Sequence, residues 1–197
     1  LLLVFFLFFL TDIKIKNLVA FSLLTFVVFF ILLEFNLVNT FQIERITDFY
    51  SNEVKDFSQQ QSRLQISLGG FLGENFSNTS NIDIFVPVQS TDFIFSSFSK
   101  SFGFLGCVVL LGFWAIFGLR VYSLIIKTDS NFEKFLLSGF LILLYIQIFI
   151  NIATVLGLIP LTGDPFPLLS LGGSSIIAIS SIFGIINRIF IENNLVI

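Results

Sequence analysis

Long apolar runs separated by short polar segments set the pattern of this sequence. A bilayer has a hydrocarbon core about 30 Å thick, which a helix of about 20 apolar residues can cross. The pattern therefore predicts an all-α polytopic membrane protein with four full spans. These predicted spans are residues 18–38, 102–126, 135–159 and 171–190. Residues 1–10 form a shorter apolar run that already includes Leu1, so we expect the chain to begin within a partial N-terminal helix.

One large polar region, residues 39–101, separates the first and second full spans and carries more than half of the carboxylates. We predict a large loop there, with a short helix in residues 41–64 and irregular chain in residues 67–80. Lysine and arginine side chains lie near the helix ends on the other side of the membrane, which marks that side as cytoplasmic. The loop is therefore expected to be extracytoplasmic and the C-terminus cytoplasmic. The basic residues concerned are Lys14, Lys16, Arg120, Lys127, Lys134 and Arg188.

The composition agrees with a membrane protein and narrows the chemistry. Hydrophobic residues make up 55% of the chain and charged residues 12%, whereas soluble domains carry about 25% charged residues. The absence of histidine excludes Ser-His-Asp triads and imidazole metal sites, and it leaves acid–base chemistry to the 13 carboxylates. A net charge of −3 argues against nucleic acid as a partner.

Several polar residues fall inside predicted spans, where each needs a partner or a function. Gln147 and Asn151 are four residues apart and share one helix face. Two interpretations stay open for them. They either form hydrogen bonds between helices, or they have a function and bind a lipid headgroup or line a polar cavity. Arg120 is either an anchor at the cytoplasmic surface or the partner of a carboxylate. Glu34 lies close enough to the outer end of its span to reach the interface.

The segment before the last span combines prolines with glycines and serines. Pro165 and Pro167 predict an extended approach to the helix. The free amide groups at a helix N-terminus can bind an anion, although glycines there also allow close helix packing. The residues of this candidate anion site are Gly172, Gly173, Ser174 and Ser175.

Asp92 is the best candidate for chemistry. It is the last carboxylate before the second full span, and the apolar residues that follow, Phe93, Ile94 and Phe95, would hold it at the membrane surface. A carboxylate in such a position can act as a general base. The structural alternative is that Asp92 caps the helix that follows.

Four blocks of the sequence, in the same order, resemble the motifs of the SEDS family (shape, elongation, division and sporulation proteins, FtsW/RodA/SpoVE-like). Residues 41–46 resemble YQxxRI, residues 61–75 resemble QSxxAIGSGGLxGKG, residues 86–106 resemble LPxxHTDFIFAVxxEExGxxG, and residues 151–175 resemble NIxxxxGxLPxTGxPLPxxSYGGSS. The last block agrees almost residue for residue. By this resemblance the chain corresponds to the C-terminal half of a SEDS protein.

The resemblance implies a function. SEDS proteins polymerise lipid II, a polyprenyl-pyrophosphate-linked disaccharide-peptide, into peptidoglycan strands during cell division or elongation, beside a class B penicillin-binding protein. The implied activity is that of an inverting glycosyltransferase with Asp92 as the catalytic base. The implied location is the bacterial cytoplasmic membrane, or the inner envelope of a plastid that contains peptidoglycan. The substrate-binding residues implied by the motifs are Arg45, Gln61, Ser62, Thr91, Gly172, Gly173, Ser174 and Ser175.

The leaving pyrophosphate of such a reaction needs cations, amide dipoles or a divalent metal such as Mg²⁺ or Mn²⁺. The sequence does not identify ligands for a metal. Arg45, Arg63 and Lys100 are the cations expected on the outer side of the membrane.

Two alternatives stay open beside the polymerase. A lipid II flippase would use Gln147 and Asn151 and would not need Asp92. A non-catalytic scaffold of the division or elongation machinery is favoured by departures from the motifs. In these departures Ser90 replaces His, Lys100 and Ser101 replace paired Glu residues, and Glu74 and Asn75 replace the Lys-Gly of GKG.

Overall fold

The structure, a computed structural model, contains two compact units, residues 1–54 and 55–197. The described residues are 16, 19–20, 22–27, 57–74 and 91–195, with side chains to residue 193. In the first unit the described residues are all helical, in or beside the predicted span 18–38. The predicted partial helix 1–10, Glu34, Arg45 and Ser90 lie outside the described residues.

The second unit is helical throughout its regular structure. Its helices are α1 (Phe57–Gly69), α2 (Ile94–Lys127), α3 (Asn131–Val155) and α4 (Gly173–Leu195). The residues that the structure describes include no strand. The helices α2, α3 and, as far as Asn193, α4 are long and apolar enough to cross a membrane. The prediction of an all-helical membrane protein is therefore confirmed for this part of the chain.

The helix α2 begins and breaks where hydropathy gives no signal. The helix α2 begins at Ile94 rather than at residue 102, because the polar stretch after Asp92 is helical as well. A break at Gly103, with φ 66° and ψ −167°, separates this N-terminal piece from the apolar remainder. The helix α4 begins at Gly173, close to the predicted residue 171.

The end of α3 also depends on a glycine. The helix ends at Val155 rather than at residue 159. Gly157 has a φ of 67°, and the amide of Leu158 donates to the carbonyl of Ala153 at 2.8 Å. This arrangement closes the helix as in a Schellman motif, and a left-handed glycine is the usual residue at such a position.

The three long helices pack around two groups of buried side chains. The group nearer Asp92 combines residues of all three helices with Phe166 from the segment between α3 and α4. The Phe166 ring is 1% exposed, lies 6.0 Å from the Phe95 ring and lies 6.4 Å from the Trp114 ring. The segment before α4 is therefore part of the core. The second group consists of Val121, Leu124, Leu137, Ile186 and Ile189.

A glycine-rich turn after α1, residues 69–74, docks into the break of α2. Backbone hydrogen bonds join this turn to both sides of the break, from Glu74 N to Lys100 O at 2.9 Å, from Phe104 N to Gly70 O at 2.9 Å and from Leu105 N to Phe71 O at 3.1 Å. Gly73 and Gly103 are both buried, and a Cβ on either one would overlap the backbone of the other. The close approach of the two segments therefore requires glycine on both sides.

We expect Gly103→Ala to lower the stability of the protein by about 2 kcal/mol. Alanine would have to keep a left-handed φ, and its Cβ would overlap the backbone of Gly73. Thermal unfolding of the full-length gene product in detergent measures the effect. Gly112→Ala is the matched control, because it lies in the same helix with no atom within 4 Å of the added Cβ. It should be neutral or stabilising by up to about 1 kcal/mol. Equal destabilisation by the two variants would contradict the proposed role of Gly103.

Candidate active site

Asp92 lies in the turn directly before α2, at the end of the unit formed by the N-termini of α2 and α4 and the C-terminus of α3, here called the Asp92 end. Its side chain is half-buried. Phe93 holds the N-cap position of α2 and no side chain caps the helix, so the structure does not support the capping role for Asp92. Within the described parts of the chain, no hydrogen bond or ion pair engages its carboxylate. A Cβ on Gly163 would lie 3.8 Å from Asp92 Oδ2, so the glycine leaves space beside the carboxylate.

Asn151 on α3 fixes the backbone of Asp92. Its Nδ2 donates to the carbonyl of Asp92 at 2.9 Å and to the carbonyl of Asp164 at 2.8 Å. The side chain is 1% exposed, and a buried hydrogen bond is costly to leave unmade. The structure thus gives Asn151 a role in hydrogen bonding between elements. Its Oδ1 has no partner among the described residues, and neither has Oε1 of Gln147.

Ser170 fixes the carbonyl of Thr91, the residue before Asp92 in the same turn. The Ser170 hydroxyl donates to the carbonyl of Thr91 at 2.6 Å and accepts from the amide of Phe166 at 2.8 Å. Two consecutive carbonyls, those of Thr91 and Asp92, are therefore held by side chains of the block 151–175. Support of this kind determines the position from which the Asp92 carboxylate can act.

The helix α1 secures the C-terminus of α3 with polar side chains on one face. Gln59 Nε2 donates to the carbonyls of Thr154 (3.2 Å) and Ile159 (3.0 Å), Ser62 Oγ to Val155 (2.9 Å), Arg63 Nε to Leu156 (2.8 Å) and Arg63 Nη2 to Gly157 (2.8 Å). The last carbonyls of a helix lack partners within the helix, so these bonds satisfy groups that need them. The positive charge of Arg63 also suits the negative end of the α3 dipole.

These contacts show what the candidate residues on α1 do in the fold. Ser62 is 0% exposed and binds α3, and Arg63 is engaged with two carbonyls of the α3 terminus. Gln61 lies on the same helix and is half-buried. Substrate binding by Gln61 and Ser62 stays a prediction, and the contacts observed for Ser62 are those of helix packing.

The candidate anion site lies at the start of α4. Gly173 and Ser174 are exposed, whereas Gly172 and Ser175 are half-buried. The Ser175 hydroxyl donates back to the carbonyl of Gly172 at 2.9 Å. Since Ser170 binds the Thr91 carbonyl, this helix start is linked directly to the turn that holds Asp92. Anion binding by its amides stays a prediction.

The described parts of three of the four sequence motifs, residues 61–74, 91–106 and 151–175, meet at the Asp92 end. The fourth, residues 41–46 with Arg45, lies outside the described residues. The sequence reasoning missed Asp164, a half-buried carboxylate whose carbonyl shares Asn151 with that of Asp92. The available signal was an acidic residue between Gly163 and Pro165, directly before the last span.

Glu74 and Lys100, two of the residues that depart from the motifs, form an ion pair. Lys100 Nζ lies 3.2 Å from Glu74 Oε2, and the side chains are 14% and 21% exposed, respectively. The motifs have lysine at the position of Glu74 and glutamate at the position of Lys100. Relative to the motifs the two charges are therefore exchanged, and in this chain they attract each other.

We expect Asn151→Leu to destabilise the protein by about 2 kcal/mol, because it leaves the carbonyls of Asp92 and Asp164 without their buried donor. Gln147→Leu is the matched control, one turn away on the same helix face, and its amide oxygen has no partner in the described structure. It should change the stability by no more than about 0.5 kcal/mol. Thermal unfolding of both variants in detergent tests the difference, and equal losses would refute the role of Asn151.

Comparison with known proteins gives consistent matches along the chain. Residues 1–195 match the FtsW/RodA/SpoVE family model, described as "Cell cycle protein". The peptidoglycan glycosyltransferase MrdB of Helicobacter pylori is 35% identical over 157 residues, which cover 79% of this chain and 41% of MrdB. The probable peptidoglycan glycosyltransferase FtsW of Synechocystis sp. is 30% identical over 161 residues, covering 80% of this chain and 41% of FtsW. The peptidoglycan glycosyltransferase RodA of Treponema pallidum is 33% identical over 150 residues, covering 74% and 35%.

A solved structure shows the same fold. It belongs to a peptidoglycan synthase complex described as coordinating polymerization and crosslinking. The match has a TM-score of 0.62 and 26% sequence identity, and it covers 87% of this chain and 47% of the other. The chain thus spans less than half the length of these similar proteins.

Proposed function

We propose, since this chain belongs to the FtsW/RodA/SpoVE family, that the protein is an inverting peptidoglycan glycosyltransferase that polymerises lipid II into glycan strands. The similar proteins MrdB and RodA are named peptidoglycan glycosyltransferases, and the similar FtsW is named a probable one. The observation that carries the proposal is the Asp92 carboxylate, which is uncommitted within the described residues. It lies at the end of apolar helices, on a backbone held by Asn151 and Ser170.

In this proposal Asp92 is the general base. The 4-hydroxyl of the acceptor sugar gives its proton to the Asp92 carboxylate while its oxygen attacks the anomeric carbon of the donor. The bond from that carbon to polyprenyl pyrophosphate breaks, the leaving group takes the electron pair, and the configuration inverts. A positioned base contributes about 10²- to 10⁴-fold to such a step.

The leaving pyrophosphate requires positive charge or amide donors. The amides at the start of α4, near Gly173 and Ser174, are suited to that purpose, and Arg45 is a further candidate by its motif. Arg63 and Lys100 already have partners in α3 and Glu74.

A divalent cation would supply additional charge neutralisation. The described residues contain no cluster of three side chains of the metal-binding type. Mg²⁺ is usually held by one or two carboxylates together with substrate phosphates. A metal would therefore have to bind together with the pyrophosphate, because the described residues do not form a metal site of their own.

We also propose that the Asp92 end faces the outside of the bacterial cytoplasmic membrane or the corresponding side of a plastid inner envelope. Lys127 and Lys134 lie at the other end of α2 and α3, and basic residues favour the cytoplasmic side. The similar synthase complex couples polymerization to crosslinking. That coupling supports a class B penicillin-binding protein as the partner.

The flippase alternative depends on Gln147 and Asn151 as the lining of a polar groove. Asn151 is instead buried and bound to two backbone carbonyls, which favours the polymerase. Strand synthesis by the purified complex distinguishes the scaffold alternative from the polymerase.

The test is glycan-strand synthesis from fluorescent lipid II by the full-length gene product, co-purified with its penicillin-binding protein. We expect long strands from the complex and none from the penicillin-binding protein alone. A complex that binds lipid II without making strands would overturn the polymerase. In that case, lipid II transfer across reconstituted vesicles would identify a flippase, and the absence of transfer would identify a scaffold.

A further inference from the structure

Arg120 places a charge inside the apolar part of α2. At a rise of 1.5 Å per residue it lies about 10 Å before the end of the helix at Lys127. The residue is exposed, and within the described residues no hydrogen bond or ion pair engages its guanidinium. A cation at that depth needs an anionic partner or access to the interface.

Arg120 borders a cavity of about 210 Å³ between α2 and α4. Asn187 on α4 is the other polar residue of the lining, and the rest is apolar, including Val121, Ile186 and Phe190. Asn187 is exposed as well. The cavity thus combines an apolar wall with a cation and an amide, which is the combination that a phospholipid needs for its chain and its headgroup.

The charges around the cavity distinguish Arg120 from its neighbours. Arg188, the residue after Asn187, is paired with Glu192 at 2.5 Å. Lys127 is exposed at the end of α2, and Lys134 follows on α3. Arg120 is therefore the unpaired guanidinium beside the cavity, on a side of the membrane that carries further positive charge.

We infer that Arg120 and Asn187 bind the phosphate headgroup of an acidic phospholipid whose acyl chain lies in the cavity between α2 and α4. A guanidinium matches phosphate oxygens through two parallel N–H donors, and basic pockets between membrane helices bind acidic headgroups. The site lies at the opposite end of α2 from Asp92. It is independent of the proposed glycosyltransferase activity.

The test measures lipid binding by the full-length protein in detergent, with fluorescent phosphatidylglycerol and phosphatidylcholine as the probes. Arg120→Gln should weaken binding of phosphatidylglycerol about fivefold and leave phosphatidylcholine unchanged. Arg188→Gln is the matched control, because that guanidinium lies on the same side but is paired with Glu192. It should leave both lipids unchanged.

Unchanged binding in Arg120→Gln, or equal losses in the Arg120 and Arg188 variants, would overturn the site. Displacement of the lipid by millimolar inorganic phosphate would also overturn it, since that would indicate a site for free phosphate. Asn187→Ala, a change at an exposed residue, should weaken binding as well and provides the test if Arg120→Gln does not fold. Asp92→Asn should bind the lipid as the native protein does, so failure of this site is distinguishable from failure of the proposed activity.

Discussion

Replacing Asp92 by asparagine should reduce glycan-strand synthesis at least about 100-fold, because the amide cannot accept the proton of the acceptor hydroxyl. The fold should not change. The contacts of residue 92 with α3 come from its backbone carbonyl, which the variant keeps. The measurement is the initial rate of strand synthesis from fluorescent lipid II by the full-length protein with its penicillin-binding partner, with thermal stability recorded for the same samples.

Asp164→Asn is the matched control for this variant. Asp164 is also half-buried, and its carbonyl is bound by the same Asn151 side chain. We expect its rate to stay within about tenfold of the native rate, since one base is sufficient for the proton transfer. A native rate in Asp92→Asn would refute the assignment of the base. Equal losses in both variants would indicate that the two carboxylates act together, which contradicts a single base.

Apolar runs of sufficient length predicted the three long helices of the second unit because membrane spans depend on local composition. The position of Asp92 at a helix entry followed from the same pattern. The break in α2 and the end of α3 did not follow, because they depend on backbone conformation at single residues. Gly103 breaks α2 and Gly157 ends α3, and both have a left-handed φ that hydropathy cannot register.

The support of the candidate site could not be predicted from the sequence, because it consists of contacts between distant segments. Asn151 binds the backbone of a residue 59 positions away, and Gln59 binds one 95 positions away. Their partners are carbonyl groups, which every residue carries, so no pairing of residue types reveals them. For the same reason the hydrogen bonds of Ser62 and Arg63 to the end of α3 were not predicted.

The ion pair of Glu74 and Lys100 changes the interpretation of the departures from the SEDS motifs. Each substitution alone suggests a degenerate protein, because each reverses a charge. In the structure the two residues face each other at 3.2 Å, across the junction of the glycine turn and α2. The same junction is joined by the backbone bond from Glu74 to Lys100 at 2.9 Å.

Reversing one charge of this pair should therefore lower the stability of the protein, and reversing both charges should not. We expect Glu74→Lys or Lys100→Glu alone to lower the stability by about 3 kcal/mol, since each leaves two like charges that are mostly buried. The double variant E74K/K100E restores attraction in the orientation of the motifs, and it should lie within about 1 kcal/mol of the native protein. Thermal unfolding of all four proteins in detergent completes the double-mutant cycle.

Glu192→Lys, which opposes the more exposed Arg188, is the control. That pair is 70% and 46% exposed, so breaking it should cost less than about 1 kcal/mol. A double variant no more stable than the single ones would show that the pair does not hold the junction. If the double variant instead recovers both stability and strand synthesis, the charge exchange is neutral for the site. The departures at Glu74 and Lys100 then give no reason to regard the protein as a scaffold.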